Sequence, residues 1–187
     1  MRLALKEWAV ICRALGEGRQ VFVLRKGGIA DGDFDLPDTR FWLYPTYVHQ
    51  QRMGLVEAAA LALAQVETER PEEGTARIAL WAEASGIYQV RQLDKLLSLE
   101  GMHWWSQETV SQRFHYRREE LAVLTLRVHR LERAIELEEK PAYAGCRSWV
   151  HLDHDLGEPA SQPVLDDDAF RVQIRRLESI LDPVALA

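Results

Sequence analysis

The stretch GEGRQVFVLRKGGIADGDFDLPDTRFWLYPTYVHQ (16–50) holds two short apolar runs that each stop abruptly. VFVL (21–24) gives way to Arg25, Lys26 and two glycines, and FWLY (41–44) gives way to Pro45, Tyr47, His49 and Gln50. Apolar runs of this length bounded by Gly, Pro and Asp read as buried strands. The Gly- and Asp-rich link between them is turn chemistry, so a long hairpin or looped pair is expected, with strands at about 20–25 and 40–44. Both strands deliver cations, aromatics or a His where burial ends, which is the composition of a binding mouth.

Working outward, residues 4–15 place Leu5, Trp8, Ala9, Cys12 and Leu15 at helical spacing, with Gly16 and Gly18 as a stop. LVEAAALALAQV (55–66) is built of helix formers and reads as a buried helix. ARIALWAEASGIYQV (76–90) alternates as strand, with Gly86 marking a bend. A short helix is expected at about 92–98, and Ser106 is placed as the N-cap of another reaching about residue 114. LAVLTLRVHRL (121–131) is the strongest strand pattern, and SWVHL (148–152) is a further candidate. GEPASQP (157–163) reads as linker. Asp166, Asp167 and Asp168 then open a final helix with the apolar stripe Phe170, Ile174, Leu177 and Leu181, the acids suiting its N-terminal dipole.

Helices and strands do not alternate regularly, which disfavours a doubly wound parallel sheet. The expected class is α+β: a barrel-like domain over 1–156, a linker at 157–165, and a C-terminal helix over 166–187 that packs on the domain or on a partner.

A chain of 187 residues with 47% hydrophobic and 28% charged residues can bury a core, so disorder and fibrous repeats are excluded. The net charge of −6 excludes a surface that grips nucleic acid all round and confines such binding to local clusters of cations. The N-terminal apolar run is interrupted by Lys6, Glu7 and Arg13, so no signal peptide or membrane span is read there and a cytoplasmic protein is expected. Cys12 and Cys146 lack metal-site spacing and are expected to be reduced.

Three stretches, LKEWAVICRALGEGRQVFVLRKGGI (5–29), FWLYPTYVHQ (41–50) and YAGCRSWVHL (143–152), together resemble a bacterial family known only as a domain of unknown function (DUF1802). More distantly, the helix, Gly-x-(Lys/Arg), strand, Arg order resembles ASCH-type domains of the PUA-like superfamily. IALWAEASGIYQV (78–90), HWWSQETVSQRFHYR (103–117) and LAVLTLRVHRL (121–131) look like the later half of such a domain. That resemblance implies a small, partly open β-barrel with flanking helices, associated with RNA or modified nucleosides. In the ASCH pattern a glycine and a lysine are followed by an acid and, two residues on, an arginine. Gly18 and Arg25 match; Gln20 stands at the lysine position, and Val23 replaces the acid. Hydrolytic chemistry resting on that lysine and acid therefore does not carry over.

The residues proposed to line the mouth are Arg25, Lys26, Tyr47, His49, Gln50, Trp104 and Arg113. Arg25 and Lys26 before two glycines suit a phosphate, Tyr47 and Trp104 suit a stacked base, and His49 with Gln50 suits a base edge. Two adjacent tryptophans cannot both point into one core from a strand, so one of Trp104 and Trp105 is expected at the surface. His151 and Asp153 have metal-ligand types but no third ligand in the sequence, and the Glu138–Lys140 spacing lacks the paired acid of a metal-dependent nuclease. The expectation is a module binding RNA or a nucleotide-like ligand, with no cofactor, metal or assigned catalysis. The alternatives are an interaction module that dimerises through the C-terminal helix and a nucleotide-processing hydrolase or nuclease.

Overall fold

The computed structural model of the chain describes residues 1–26, 36–47, 50, 54–145 and 147–181. Its elements are β1 (Leu3–Trp8), α1 (Ala9–Gly16), β2 (Phe22–Arg25), β3 (Arg40–Thr46), α2 (Ala60–Thr68), β4 (Thr75–Val90), α3 (Leu93–Leu97), α4 (Gln107–His115), β5 (Leu121–Glu138), β6 (Trp149–His151), β7 (Ser161–Pro163) and α5 (Asp167–Glu178). The seven strands form one sheet in the order β2-β5-β4-β3-β1-β6, with β7 beside β5. The class is thus α+β with a C-terminal helix, as expected.

Two local expectations are corrected. Residues 4–15 are not one helix: the first half is β1, which pairs parallel with β3 (Leu5 opposite Leu43) and antiparallel with β6 (Leu5 opposite Trp149). Over so few residues a period of two fits as well as a period of 3.6, and having a pairing partner on both sides decides the matter. β2 and β3 are strands but not a hairpin, since β5 and β4 lie between them in the sheet.

Side chains alternate across the sheet. Leu3, Leu5, Phe41 and Leu43 enter the main core beneath α1, α4 and α5, whereas Ala4, Trp42 and Tyr44 enter a smaller one closed by Tyr143, Val150 and Leu152. Both faces are therefore buried, which explains why the strands read as unbroken apolar runs. The long β4–β5 ribbon shifts register between Ala84 and Gly86, where a Cβ on Gly86 would stand 3.0 Å from Thr125 Oγ1. A bulge of this kind bends a strand, and here the strand continues through it.

α5 spends its apolar stripe on the chain's own core, where Leu177 and Leu181 are buried and Phe170 and Ile174 pack alongside. Asp166 caps it by accepting from Ala169 N at 2.8 Å, Arg127 reaches Asp167 at 2.6 Å, and Tyr88 Oη donates to Glu178 at 3.0 Å. The segment read as linker contributes β7, which pairs Gln162 with Arg130. None of the described helices is long and apolar enough to cross a membrane.

The sheet is not closed: among the described residues its end strands β2 and β6 do not pair with each other. It nevertheless curls far enough for β2 to touch β1. Arg25 Nη2 donates to Lys6 O at 2.7 Å and stands 2.9 Å from Glu7 Oε2. The two side chains are 12% and 3% exposed, so the gap is bridged by a buried ion pair rather than by a strand ladder. Removing one member of such a pair strands the other charge, at a cost of about 3–5 kcal/mol. Glu7→Ala is therefore expected to lower the unfolding free energy in urea by about that much, and the E7A/R25A double variant to recover part of the loss. A Glu7→Ala chain as stable as its parent would show that the gap is held by something else.

Candidate functional site

The ion pair is one side of a closed circuit of contacts. Glu7 Oε1 accepts from Trp8 N at 2.7 Å, which fixes the residue that ends β1 and precedes α1. The ring of Trp8 lies 4.9 Å from the guanidinium of Arg113 on α4, and Arg113 lies 5.2 Å from the ring of Trp105. Trp105 tilts against His103 at 5.5 Å, and His103 meets Phe22 edge-on at 5.8 Å, returning the circuit to β2.

Local chemistry aims these groups. Ser106 caps α4 by accepting from Thr109 N at 3.1 Å, as its sequence position promised. Thr109 Oγ1 and Ser106 N both donate to Gly54 O, and Val56 N donates to Trp104 O at 2.9 Å, pinning residues 54–56 to the start of α4. Gly54 fits closely there, since a Cβ would lie 3.1 Å from the Trp8 ring and 3.3 Å from Thr109 Oγ1 and would press on both.

The circuit is poor in internal hydrogen bonds. Among the described residues, Glu7 Oε2, Arg25 Nε, both ring nitrogens of His103 and Trp105 Nε1 are buried without a hydrogen-bond partner, the Glu7–Arg25 approach being close but badly aligned. Arg113 stacks on two indoles and donates to no acceptor among the described residues. Burial depresses its pKa, Glu7 opposes that shift and Arg25 adds to it, so one carboxylate lies within electrostatic reach of two guanidiniums. Most native buried polar atoms are paired, so these are the atoms at which the circuit can accept a further partner, a water included.

The other expected residues are placed differently. Lys26 Nζ donates to the carbonyls of Phe114, Arg118 and Glu120, bracing the turn between α4 and β5, and burial lowers its pKa. Gln50 is buried, accepts from Val10 N at 3.2 Å and donates to Glu67, thereby holding the first turn of α1. Trp104 is the half-buried member of its pair and Trp105 is fully buried; Trp104 N donates to Gln20 Oε1 at 3.3 Å, and Arg19 lies 6.0 Å from its ring. Tyr47 belongs to another cavity and carries Arg70 over its ring at 5.0 Å. His49 lies outside the described residues.

Glu7 and Trp8 are functional candidates that the sequence reading missed. The only signal was an acid lodged in an apolar run, and the helical reading of that run hid it. Val23 and Gln20, at the acid and lysine positions of the ASCH pattern, are both buried, and Gln20 Nε2 donates to Phe22 O at 2.6 Å. The carboxylate facing Arg25 comes from β1 instead.

A second cavity, of about 390 Å³, is lined by Arg40, Trp42, Trp81 and Glu158. Its aromatic surface is already covered, because Trp81 is sandwiched between Arg40 at 4.8 Å and His129 at 3.9 Å. Asp153 is paired with Lys140, and the described residues hold no group of three His, Cys, Asp or Glu side chains suited to a metal.

His103, 4% exposed, has its pKa pushed down by burial to about 4, with Arg113 adding to the effect and the Trp105 backbone opposing it. A folded-state pKa below the unfolded value of about 6.5 means that the unfolded chain takes up the proton first as pH falls. This site's contribution is thus intact above about pH 6.5 and is lost progressively towards pH 4, by roughly 3 kcal/mol in all. His103→Phe is expected to flatten that part of the acid limb in urea titrations run between these pH values. A limb as steep as the parent's would assign it to the carboxylates.

No curated protein matches the chain. Among solved structures, an alanine-for-serine mutant of the ASCH protein from Zymomonas mobilis is 14% identical over 96% of each chain, with a TM-score of 0.49. The structure of ASCH from the same organism is 15% identical over 98% of this chain and 97% of that one, with a TM-score of 0.47. Every residue of the contact circuit, from Glu7 to Arg113, lies within residues 4–176, which match the family described as a domain of unknown function (DUF1802), and the chain belongs to that family.

Proposed function

We propose that the chain is a binding module for RNA or a nucleotide-like anion, with Arg113 as the anchor. The observation that supports this reading most strongly is the guanidinium of Arg113, which donates to no acceptor among the described residues and is held between Trp8 and Trp105 at 4.9 and 5.2 Å. A guanidinium is a planar fork of five N–H donors that matches a phosphate or carboxylate in bidentate fashion. Stacking two indoles on it costs the fork its water but fixes its direction. Glu7 is already engaged at 2.9 Å by Arg25, so the cluster carries one cation more than acid and favours an incoming anion.

The roles expected from the sequence are redistributed accordingly. Arg113 takes the anion and Arg25 orients the Glu7 side. Trp104, half-buried and next to Trp105, supplies a face for a base, while Lys26 and Gln50 brace the walls. The interaction-module alternative loses its main support, because the apolar stripe of α5 is covered by the chain's own core.

Tryptophan fluorescence titrated with nucleoside monophosphates and with short mixed RNA, at low and moderate salt, tests the assignment. Arg113→Lys keeps the charge but not the fork. Charge-assisted hydrogen bonds contribute about 1.5–3 kcal/mol each, so this variant is expected to bind about tenfold or more weakly while folding normally. Equal affinity in the parent and in Arg113→Lys would remove Arg113 from the site.

A further inference from the structure

A cavity of about 420 Å³ lies between α1, the end of β3, α2 and the β4–β5 ribbon, with Tyr47 in its wall. Its acids are occupied: Arg13 binds Glu17 at 2.9 Å and Glu69 at 3.0 Å. Its remaining cations are not matched by acid. Arg77 has no hydrogen bond or ion pair among the described residues, although Glu136 stands opposite it in the sheet. Arg130 donates to the neutral carbonyl of Gly16, which leaves its charge uncompensated. Arg70, beside the cavity, rests on the Tyr47 ring without a carboxylate partner among the described residues. Two guanidiniums and a phenol in the wall of a hollow of nucleotide size, with Arg70 beside the phenol, have the chemistry to take a phosphate in a chain whose net charge is −6.

The cavity and the Arg113 circuit share a wall. Trp8 stacks on Arg113, the next residue, Ala9, lines the cavity, and Cys12 lines it too, with its Sγ 3.9 Å from Glu7 O. Only the first turn of α1 separates them, and Gln50 holds that turn from the side, through Val10 N and Glu67.

We propose that this cavity is a second phosphate subsite, and that the ligand is therefore a single RNA strand that engages Arg113 at one end and Arg70, Arg77 and Arg130 at the other, passing around the buried first turn of α1. The assignment rests on the reading of Arg113 given above. A mononucleotide occupies the first subsite alone; a strand occupies both.

The test compares a nucleoside monophosphate with a mixed-sequence RNA of roughly ten nucleotides, a length within the site sizes of small single-strand binders, on the full chain. The variant R70Q/R77Q removes two exposed cations, neither of which holds the backbone. R175Q/R176Q on α5 removes the same charge elsewhere. For R70Q/R77Q, RNA affinity is expected to fall about tenfold, with the slope of log K against log salt shallower by about 0.7 per lost contact. Monophosphate affinity should stay at the parent value, and R175Q/R176Q should leave both ligands nearly unaffected. Unchanged RNA affinity in R70Q/R77Q alongside intact monophosphate binding would overturn the second subsite alone. Failure of the parent chain to bind either ligand would overturn both subsites. An acidic peptide of equal charge that displaced the RNA equally well would overturn the assignment in favour of a protein partner.

Discussion

The structure depends on one contact made where the sheet fails to close. β2 and β1 are separated by β5, β4 and β3 along the hydrogen-bonded order, yet Arg25 of β2 reaches Lys6 O and Glu7 of β1. A strand ladder between the end strands β2 and β6 would have closed the sheet with many weak backbone bonds; instead a buried ion pair ties β2 to β1 at one point. Desolvation makes such a pair a poor source of net stability but a severe constraint on geometry, since either charge left alone is costly. The curl of the sheet, the direction in which β1 ends, and the entry of α1 are all tied to it.

The same point contact leaves room for a site. Had backbone pairing continued through the gap, the indoles of Trp8 and Trp105 could not stand on either side of Arg113 there. Instead the gap is filled by side chains with few mutual hydrogen bonds, and the unpaired atoms of Glu7, Arg25, His103 and Trp105 collect around one guanidinium. Stability is given up at a functional site when binding recovers it, and the anion proposed for the Arg113 fork would do so chemically.

The α+β class, the strand end at Arg25, the Ser106 cap, the apolar stripe of α5 and the partial exposure of one of two adjacent tryptophans were legible in the sequence, because each rests on local rules of period, capping or side-chain direction. The rest was decided at long range. β1 looked helical because Leu5, Trp8 and Ala9 fit both periods, and only pairing with β3 and β6 separates them. β5 extends to Glu138, past the apolar run, because β4 offers it partners as far as Thr75. Lys26 and Gln50 looked like ligand contacts because a cation and an amide at a strand end are exposed by default. Here they are used on the carbonyls of Phe114, Arg118 and Glu120 and on Val10 N. Glu7 was invisible as a partner for Arg25 because it lies far away along the ladder, and spacing arguments see only neighbours.

Charge completes the argument. A chain of net charge −6 attracts an anion only where its acids are committed to other partners, since fields from unpaired carboxylates would otherwise cancel the attraction. Beside the proposed sites Glu17 and Glu69 are held by Arg13 and Glu7 by Arg25, whereas Glu67 accepts from the neutral amide of Gln50 and Glu136 stands opposite Arg77 without an ion pair among the described residues. Among the described residues Arg113, Arg70 and Arg77 form no ion pair with a carboxylate, and Arg113 and Arg70 are stacked on aromatic rings that fix their direction. Cations without an ion pair among the described residues also stand elsewhere, Arg175 and Arg176 of α5 among them, so what sets the two proposed sites apart is the aromatic rings that direct Arg113 and Arg70 rather than charge alone.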